Sequence, residues 1–439
     1  MGAWLNLDRS DHYRKRASAL IPGGAHTYAK GDDQYPKLAP GFIARGKGCR
    51  VWDVDGNEYI EYGSGLRAVT LGHAYPAVVD AVRRELENGS NFVRPSPLEV
   101  ELAERVSGMI RGAEMVKFGK HGSDATTAAV RLARAFTGRD KVAVCAQHPF
   151  FAADDWFLGS TPMPAGVPQA VRDLTLRFDY NDLDSLRTLF NRHAGQIACV
   201  MMEPERDVPP AAGYLSAVKE LCHHNGALFV LDELITGFRW HVGGAQRVYD
   251  VVPDLSAFGK AMANGFSVSA LVGRRDVMRL GGFDHDRERA FLLSTTHGGE
   301  THALAASLAT LDVYARQDVI GHLHRQGERL RAGVHHIVEE LRLTGHFELV
   351  GRPCNLVYAT RDADRRPSQH FRALFLQETI RRGLLAPSLV VNYAHTDADI
   401  DATVGRIGEA LVVYRKALAD GVDRHLVGGP TKPAFRPYA

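Results

Sequence analysis

The sequence predicts an α/β fold, with a large domain around a central, mostly parallel sheet and a smaller α+β domain formed from both chain ends. Two patterns carry that expectation. Between about residues 100 and 275 short apolar runs, MVKF (115–118), KVAVC (141–145), ACVMM (198–202), ALFVL (227–231) and VSALVG (268–273), alternate with helical stretches. Runs that are apolar at consecutive positions belong to parallel strands buried on both faces. On either side the character changes, from turn-rich short strands such as RVWDVDGNEYIEYG to long amphipathic helices after about residue 305. The domain divisions are therefore expected at 1–75, 76–305 and 306–439, with the first and last segments forming the smaller domain.

Within the central part, VRLARAFTG (130–138) and SAVKELCHHNG (216–226) each end in glycine, the residue expected just past a helix C-terminus. The closing GGPTKPAFRPYA reads as an extended tail. Lys+Arg 53 against Asp+Glu 51 leaves a net charge of +2, without the basic excess of a nucleic-acid binder. The five cysteines are scattered, with no CxxC pair and an odd total, so neither a disulfide framework nor a zinc site is expected. A reducing cytoplasm fits them. No run of about 18 apolar residues is present and the first residues are polar, so neither a membrane partner nor export is expected.

Several chemistries lack their central motif. There is no GxxxxGK[ST] loop, no GxGxxG after a strand, no HExxH and no GxSxG. His223 and His224 are adjacent, so on a helix they point in different directions and cannot share a metal, and no metal site is expected.

Three stretches remain, each at the C-terminal end of an expected strand, where open α/β sheets bind ligands. In VKFGKHGSDATTAAVRLARAFTG a turn at Gly122 precedes a helix opened by Ser123 and Asp124. Such a start is an anion site or a simple N-cap. In ALFVLDELITGFR an apolar strand ends in Asp232-Glu233, either a carboxylate aimed into a site or the cap of the next turn. In DLSAFGKAMANGF, Lys260 sits among small, nearly uncharged residues, either as a desolvated amine able to form a Schiff base or as a snorkelling surface lysine. Together, an anion cradle, a carboxylate and a lysine in that order are the set a pyridoxal phosphate site requires.

Further motifs extend the pattern: IPGGAHTYAK (21–30), VWDVDGNEYIEYGSG (51–65), LGHAYP (71–76), HGSDA (121–125), Glu203-Pro204, DELITGFR (232–239), FGK (258–260), APS (386–388) and AHTDADID (394–401). In these motifs the sequence resembles the class III (fold type I) pyridoxal-phosphate aminotransferases, most closely the glutamate-1-semialdehyde aminomutase branch. The resemblance implies pyridoxal 5'-phosphate as cofactor, linked to Lys260, with Asp232 keeping the pyridine nitrogen protonated and Gly122 and Ser123 on the phosphate. It also implies an aromatic stacked on the ring, Phe150 or else Phe151, and Leu234 against the opposite face. Thr296 would reach the phosphate of a neighbouring subunit, so a homodimer is implied. Thr27, Lys30, Arg67 and Glu203 fall at substrate-binding positions.

The departures bear on substrate. Thr27 and Lys30 stand where the aminomutase has a serine and an arginine, and lysine lacks the two-pronged grip of a guanidinium. Its SWGP segment reads Ser64-Gly65-Leu66-Arg67, its GNP reads Gly299-Glu300-Thr301, and Lys120 and His121 replace small polar residues. These changes imply a transaminase that moves an amino group from an amino-acid donor such as glutamate to a ketone or aldehyde. Keto-sugars or cyclitols of natural-product or polysaccharide biosynthesis are the acceptors that relatives with such departures suggest. A 2,1-aminomutase and a non-catalytic pyridoxal-phosphate-binding protein are the alternatives.

Overall fold

The computed structural model describes residues 5–438. They divide into two compact units, one of residues up to Tyr75 together with Gly321–Arg436, the other of Pro76–Ile320. The later division falls at 320/321, not at the expected 305/306. The helix Thr301–Arg316 packs on the helix Pro76–Leu86 and so stays with the larger unit.

The larger unit is built on seven strands, β1 (Met115–Gly119), β2 (Lys141–Cys145), β3 (Thr175–Phe178), β4 (Ile197–Met202), β5 (Leu228–Asp232), β6 (Leu255–Phe258) and β7 (Ser269–Gly273). They are ordered β1-β7-β6-β5-β4-β2-β3. Strands β3, β2, β4, β5 and β6 are parallel neighbours, whereas β7 runs antiparallel to both β6 and β1. VSALVG was expected to be parallel. The link from β6 to β7 is too short for a crossover, so the chain turns straight back.

Alternation along the strands explains their continuous apolar runs. Val142, Val144, Cys199, Met201, Leu228 and Val230 share one core with the helix Gly122–Thr137, while Ala143, Cys145, Val200, Met202, Phe229 and Leu231 belong to a second. Both faces are thus covered over the centre of the sheet, which keeps the interior strand β4 apolar at every position. The same period of two assigns the residues that follow: Asp232 continues the face of Leu228 and Val230, and Glu203 that of Cys199 and Met201. Two carboxylates from neighbouring strands therefore emerge on the face covered by the 122–137 helix.

In the smaller unit, strands Ile43–Lys47, Arg50–Asp53 and Glu58–Glu61 form an antiparallel meander, and Leu384–Leu385 adds in parallel beside Glu58–Glu61. Distant parts of the chain thus share one sheet. In the turn VDGN, Asp53 Oδ1 accepts from the backbone N–H of Asp55 at 3.0 Å and Asn57 at 2.8 Å, while Gly56 takes φ +93°. The AHTDADID motif opens the helix Asp397–Asp420 with a capping box, Thr396 Oγ1 accepting from Asp399 N and Asp399 Oδ2 from Thr396 N.

Candidate active site

The site is assembled at the C-terminal ends of adjacent parallel strands. Asp232 closes β5 and pairs in register with Ala257 of β6, three residues before Lys260. Asp232 is 4% exposed, and its Oδ1 accepts the Leu234 N–H at 2.9 Å. The turn-capping role is therefore filled by Oδ1 of this carboxylate. Burial pushes its pKa well up, the Glu203 charge adds to that, and the Lys260 charge opposes it. Lys260 follows Gly259 and starts a short 3₁₀ turn, Lys260–Ala263, with its own φ at +41°, a left-handed value that costs a residue bearing Cβ about 1 kcal/mol.

Leu234 ties these groups to the cofactor loop expected at Gly122. A Cβ on Gly122 would lie 2.4 Å from Leu234 Cδ1, and one on Gly259 would lie 2.8 Å from Leu234 Cδ2. The leucine thus fills the space left by two glycines, one at each functional segment. The helix opens at Gly122 with His121 as its N-cap, two or three residues earlier than an N-cap at Ser123 or Asp124 would place it. Asp124 instead closes the cap from within, its Oδ2 accepting from Lys120 N at 2.7 Å and His121 N at 2.9 Å. Ser123 Oγ accepts the Ala153 N–H at 3.0 Å, which tethers the Phe150–Ala153 stretch and leaves the Ser123 O–H as a donor. Phe151 is fully buried in the helix-side core, whereas Phe150 is 44% exposed with its edge against Phe157.

Glu203 is 4% exposed, and its Oε2 has no hydrogen-bond partner among the described residues. Its Oε1 meets Arg206 at 3.2 Å and its backbone N–H donates to His148 Nδ1 at 3.0 Å. Burial pushes His148 down to about 3, so the ring stays neutral and can accept there. Glu233, on the opposite face, accepts from Ala245 N, Gln246 N and Thr236 Oγ1, and burial pushes it up to about 7. Its role is to order the following loop. His148 and the buried Ser269 hydroxyl, which lacks a partner among the described residues and sits where a Cβ on Gly119 would meet it at 3.0 Å, were missed in the sequence. Neither lies in a motif; only the fold brings them to the site.

Gly122, Ser123, Glu203, Asp232, Leu234 and Lys260 thus come together, and Phe150 stands on the loop that Ser123 tethers. Thr296 lies elsewhere on the larger unit. It is exposed, its carbonyl accepts from Asn91 Nδ2 at 3.1 Å, and it lines a cavity of about 860 Å³ with Phe92, Val93, Val100 and Phe118. Thr27, Lys30 and Arg67 belong to the smaller unit. Lys30 is exposed and its N–H returns to the Thr27 carbonyl at 2.9 Å. Ser64, Gly65, Leu66 and Arg67 take φ values of +45°, +57°, +59° and +71°, a left-handed turn pinned by Arg67 Nε to Asn355 Oδ1 at 2.8 Å.

A helix N-terminus for an anion, a buried carboxylate beside a lysine, and polar atoms left over in the protein interior suit an anionic, aromatic, aldehyde-bearing cofactor. The fold and this residue set define a fold type I pyridoxal-phosphate enzyme. The class-III aminotransferase family model matches residues 30–352, and the chain belongs to that family. A glutamate-1-semialdehyde 2,1-aminomutase of Desulforamulus reducens is 33% identical over 423 residues, covering 91% of this chain and 96% of that protein. The FumI protein of Sphingopyxis sp. MTA144, solved in a PLP-bound form, aligns with a TM-score of 0.83 at 28% identity, covering 94% and 98%. An omega-transaminase from Sphaerobacter thermophilus aligns with a TM-score of 0.83 at 26% identity, covering 92% and 98%. The chain is a pyridoxal-phosphate-dependent transaminase of class III.

Proposed function

We propose that this enzyme transfers an amino group between two separate substrates, from an amino-acid donor such as glutamate to a ketone or aldehyde, with a keto-sugar or cyclitol as the acceptor class. The observation that carries the chemistry is the emergence of Asp232 and Lys260 at the ends of adjacent parallel strands, where the Lys260 charge acts on the Asp232 carboxyl. The bound cofactor supplies an electron sink for the carbon that loses its proton. Asp232 would favour the cationic form of the ring nitrogen, because a carboxylate withdrawn from water gains most from a nearby positive charge. Lys260 Nζ would hold the cofactor aldehyde and, once released, would move the proton from the donor α-carbon as general base and acid. Gly122 and Ser123 would hold the phosphate with backbone N–H groups and a hydroxyl, and Leu234 and Phe150 would pack against the ring. Thr27, Lys30, Arg67 and Glu203 bind substrate. The cavity beside Thr296, with exposed Phe92 and Val93 on its wall, is where a second copy docks to form the homodimer. Five free, buried cysteines suit work in the cytoplasm.

Intermolecular transfer is favoured by the loss of the arginine and serine replaced here by Lys30 and Thr27. A 2,1-aminomutase reading is favoured by the names of relatives at about one-third identity. One assay separates them. A lone amino-aldehyde should give no product without a donor, whereas glutamate plus a carbonyl acceptor should turn over; isomerisation of the amino-aldehyde alone would establish the mutase.

Gly122→Ala tests the cradle. The added methyl meets a leucine already confined by Gly259, and overpacking of this kind costs about 1–3 kcal/mol. Cofactor affinity, read from the visible band of the reconstituted enzyme, should fall by about tenfold or more. Unchanged affinity would remove Gly122 from the phosphate.

A further inference from the structure

We propose that Lys120, Glu300 and His297 form a clamp that fixes the segment bearing Thr296 to the start of the cofactor loop, making Lys120 and Glu300 positioning residues for cofactor binding. The inference rests on the proposed phosphate role of Gly122 and Ser123. Lys120 Nζ lies 2.6 Å from Glu300 Oε2, and His297 Nδ1 lies 3.1 Å from Glu300 Oε1. One carboxylate therefore joins a residue two positions before Gly122 to a residue one position after Thr296. Both members of the ion pair stand where the sequence departs from the family pattern, and the two departures are opposite in charge and meet.

An exposed ion pair at a protein surface contributes little, because water screens it and two long side chains must be ordered. This pair differs in both respects. Its side chains are only 14% and 21% exposed. The Lys120 backbone is fixed at both polar atoms, its N–H donating to Asp124 Oδ2 at 2.7 Å and its carbonyl accepting from Ser267 Oγ at 3.0 Å. Glu300 is anchored through the next residue, Thr301, whose N–H and hydroxyl donate to the carbonyls of Ser90 at 3.0 Å and Gly89 at 2.9 Å. The hydrogen bond from Lys120 holds the Glu300 carboxyl below its ordinary range. Because Glu300 engages the ammonium, Lys120 acts on the loop's position and not as a free cation for the phosphate.

The clamp makes a signed prediction. Lys120→Met and Glu300→Gln should each weaken pyridoxal phosphate binding to the cofactor-free protein by about tenfold, the scale of one charge-assisted hydrogen bond. Both should speed hydrogen exchange across residues 291–300 and leave exchange in β4 and β5 unchanged. The exchange variant Lys120→Glu/Glu300→Lys should recover at least part of each loss. If simple charge mattered instead, Glu300→Gln would free a cation and tighten binding, and that outcome overturns the clamp. Wild-type affinity in both single variants, or no recovery on charge exchange, also overturns it. Failure of the wild-type protein itself to take up the cofactor would overturn the proposed site, a distinguishable result.

Discussion

Lys260→Ala is expected to lower transamination by about four orders of magnitude or more while the protein keeps its fold. On the proposed role of Lys260, loss of the amine removes both the anchor for the cofactor aldehyde and the group that moves the substrate proton. The fold should survive because the side chain is half-buried and the backbone problem is the same for both residues: at φ +41°, lysine and alanine each place a Cβ in the left-handed region. A position under that constraint favours glycine on stability grounds alone, so Lys260→Gly should be more stable by about 1 kcal/mol and equally inactive. Thermal melts of the cofactor-free variants, alongside single-turnover assays with the donor, measure both halves. A variant retaining a tenth of wild-type turnover would take Lys260 out of the reaction. Removing the amine also withdraws the positive charge that lowers Asp232, so the carboxyl should move still further upward.

The strands and the site chemistry were legible to different extents. KVAVC is β2 residue for residue, because a strand covered on both faces must be apolar throughout and nothing else in that stretch competes. TLRF at β3 went unread, being only four residues long and broken by a polar side chain, while LSAF at β6 was expected only as the strand leading to Lys260 and was absent from the apolar runs for the same reason. Strand direction at β7 depends on the length of its connection, which the apolar run itself does not express. Gly138 ends its helix at φ +68°, as its position after VRLARAFT indicates. Asp232 and Lys260 stood out only as a set, since a turn cap or a surface lysine would explain either one alone, and the anion site, carboxylate and lysine in that order are what drew them together. Glu203 was legible only through resemblance, although the alternation that places Asp232 on the helix side also places Glu203 there. Lys120 and Glu300 could be seen as departures, but 180 residues separate them and only the fold shows that they meet.

Asp232→Asn should slow proton removal by about 10²–10³-fold, the usual effect of deleting one preorganised electrostatic partner, and should stabilise the cofactor-free protein at alkaline pH. Geometry is preserved, since an asparagine Oδ1 can still accept the Leu234 N–H. The stability effect follows from the direction of the shift. Burial, reinforced by Glu203, raises the folded-state pKa of Asp232 above its ordinary 3.8. The folded chain therefore holds this proton more tightly than the unfolded chain. The resulting stability is complete below pH 3.8 and is lost as pH rises through the raised folded value. Asparagine has no proton to lose, so urea unfolding at pH 5 and pH 8 should show a steeper decline for the wild type than for the variant. A cation placed against the carboxylate reverses the penalty, so the cofactor should raise the wild-type melting temperature more than that of the variant. Equal pH slopes together with equal cofactor-induced shifts would mean that the ring nitrogen is served by another acid, and Glu203, on the same face of the neighbouring strand, is the group to test next.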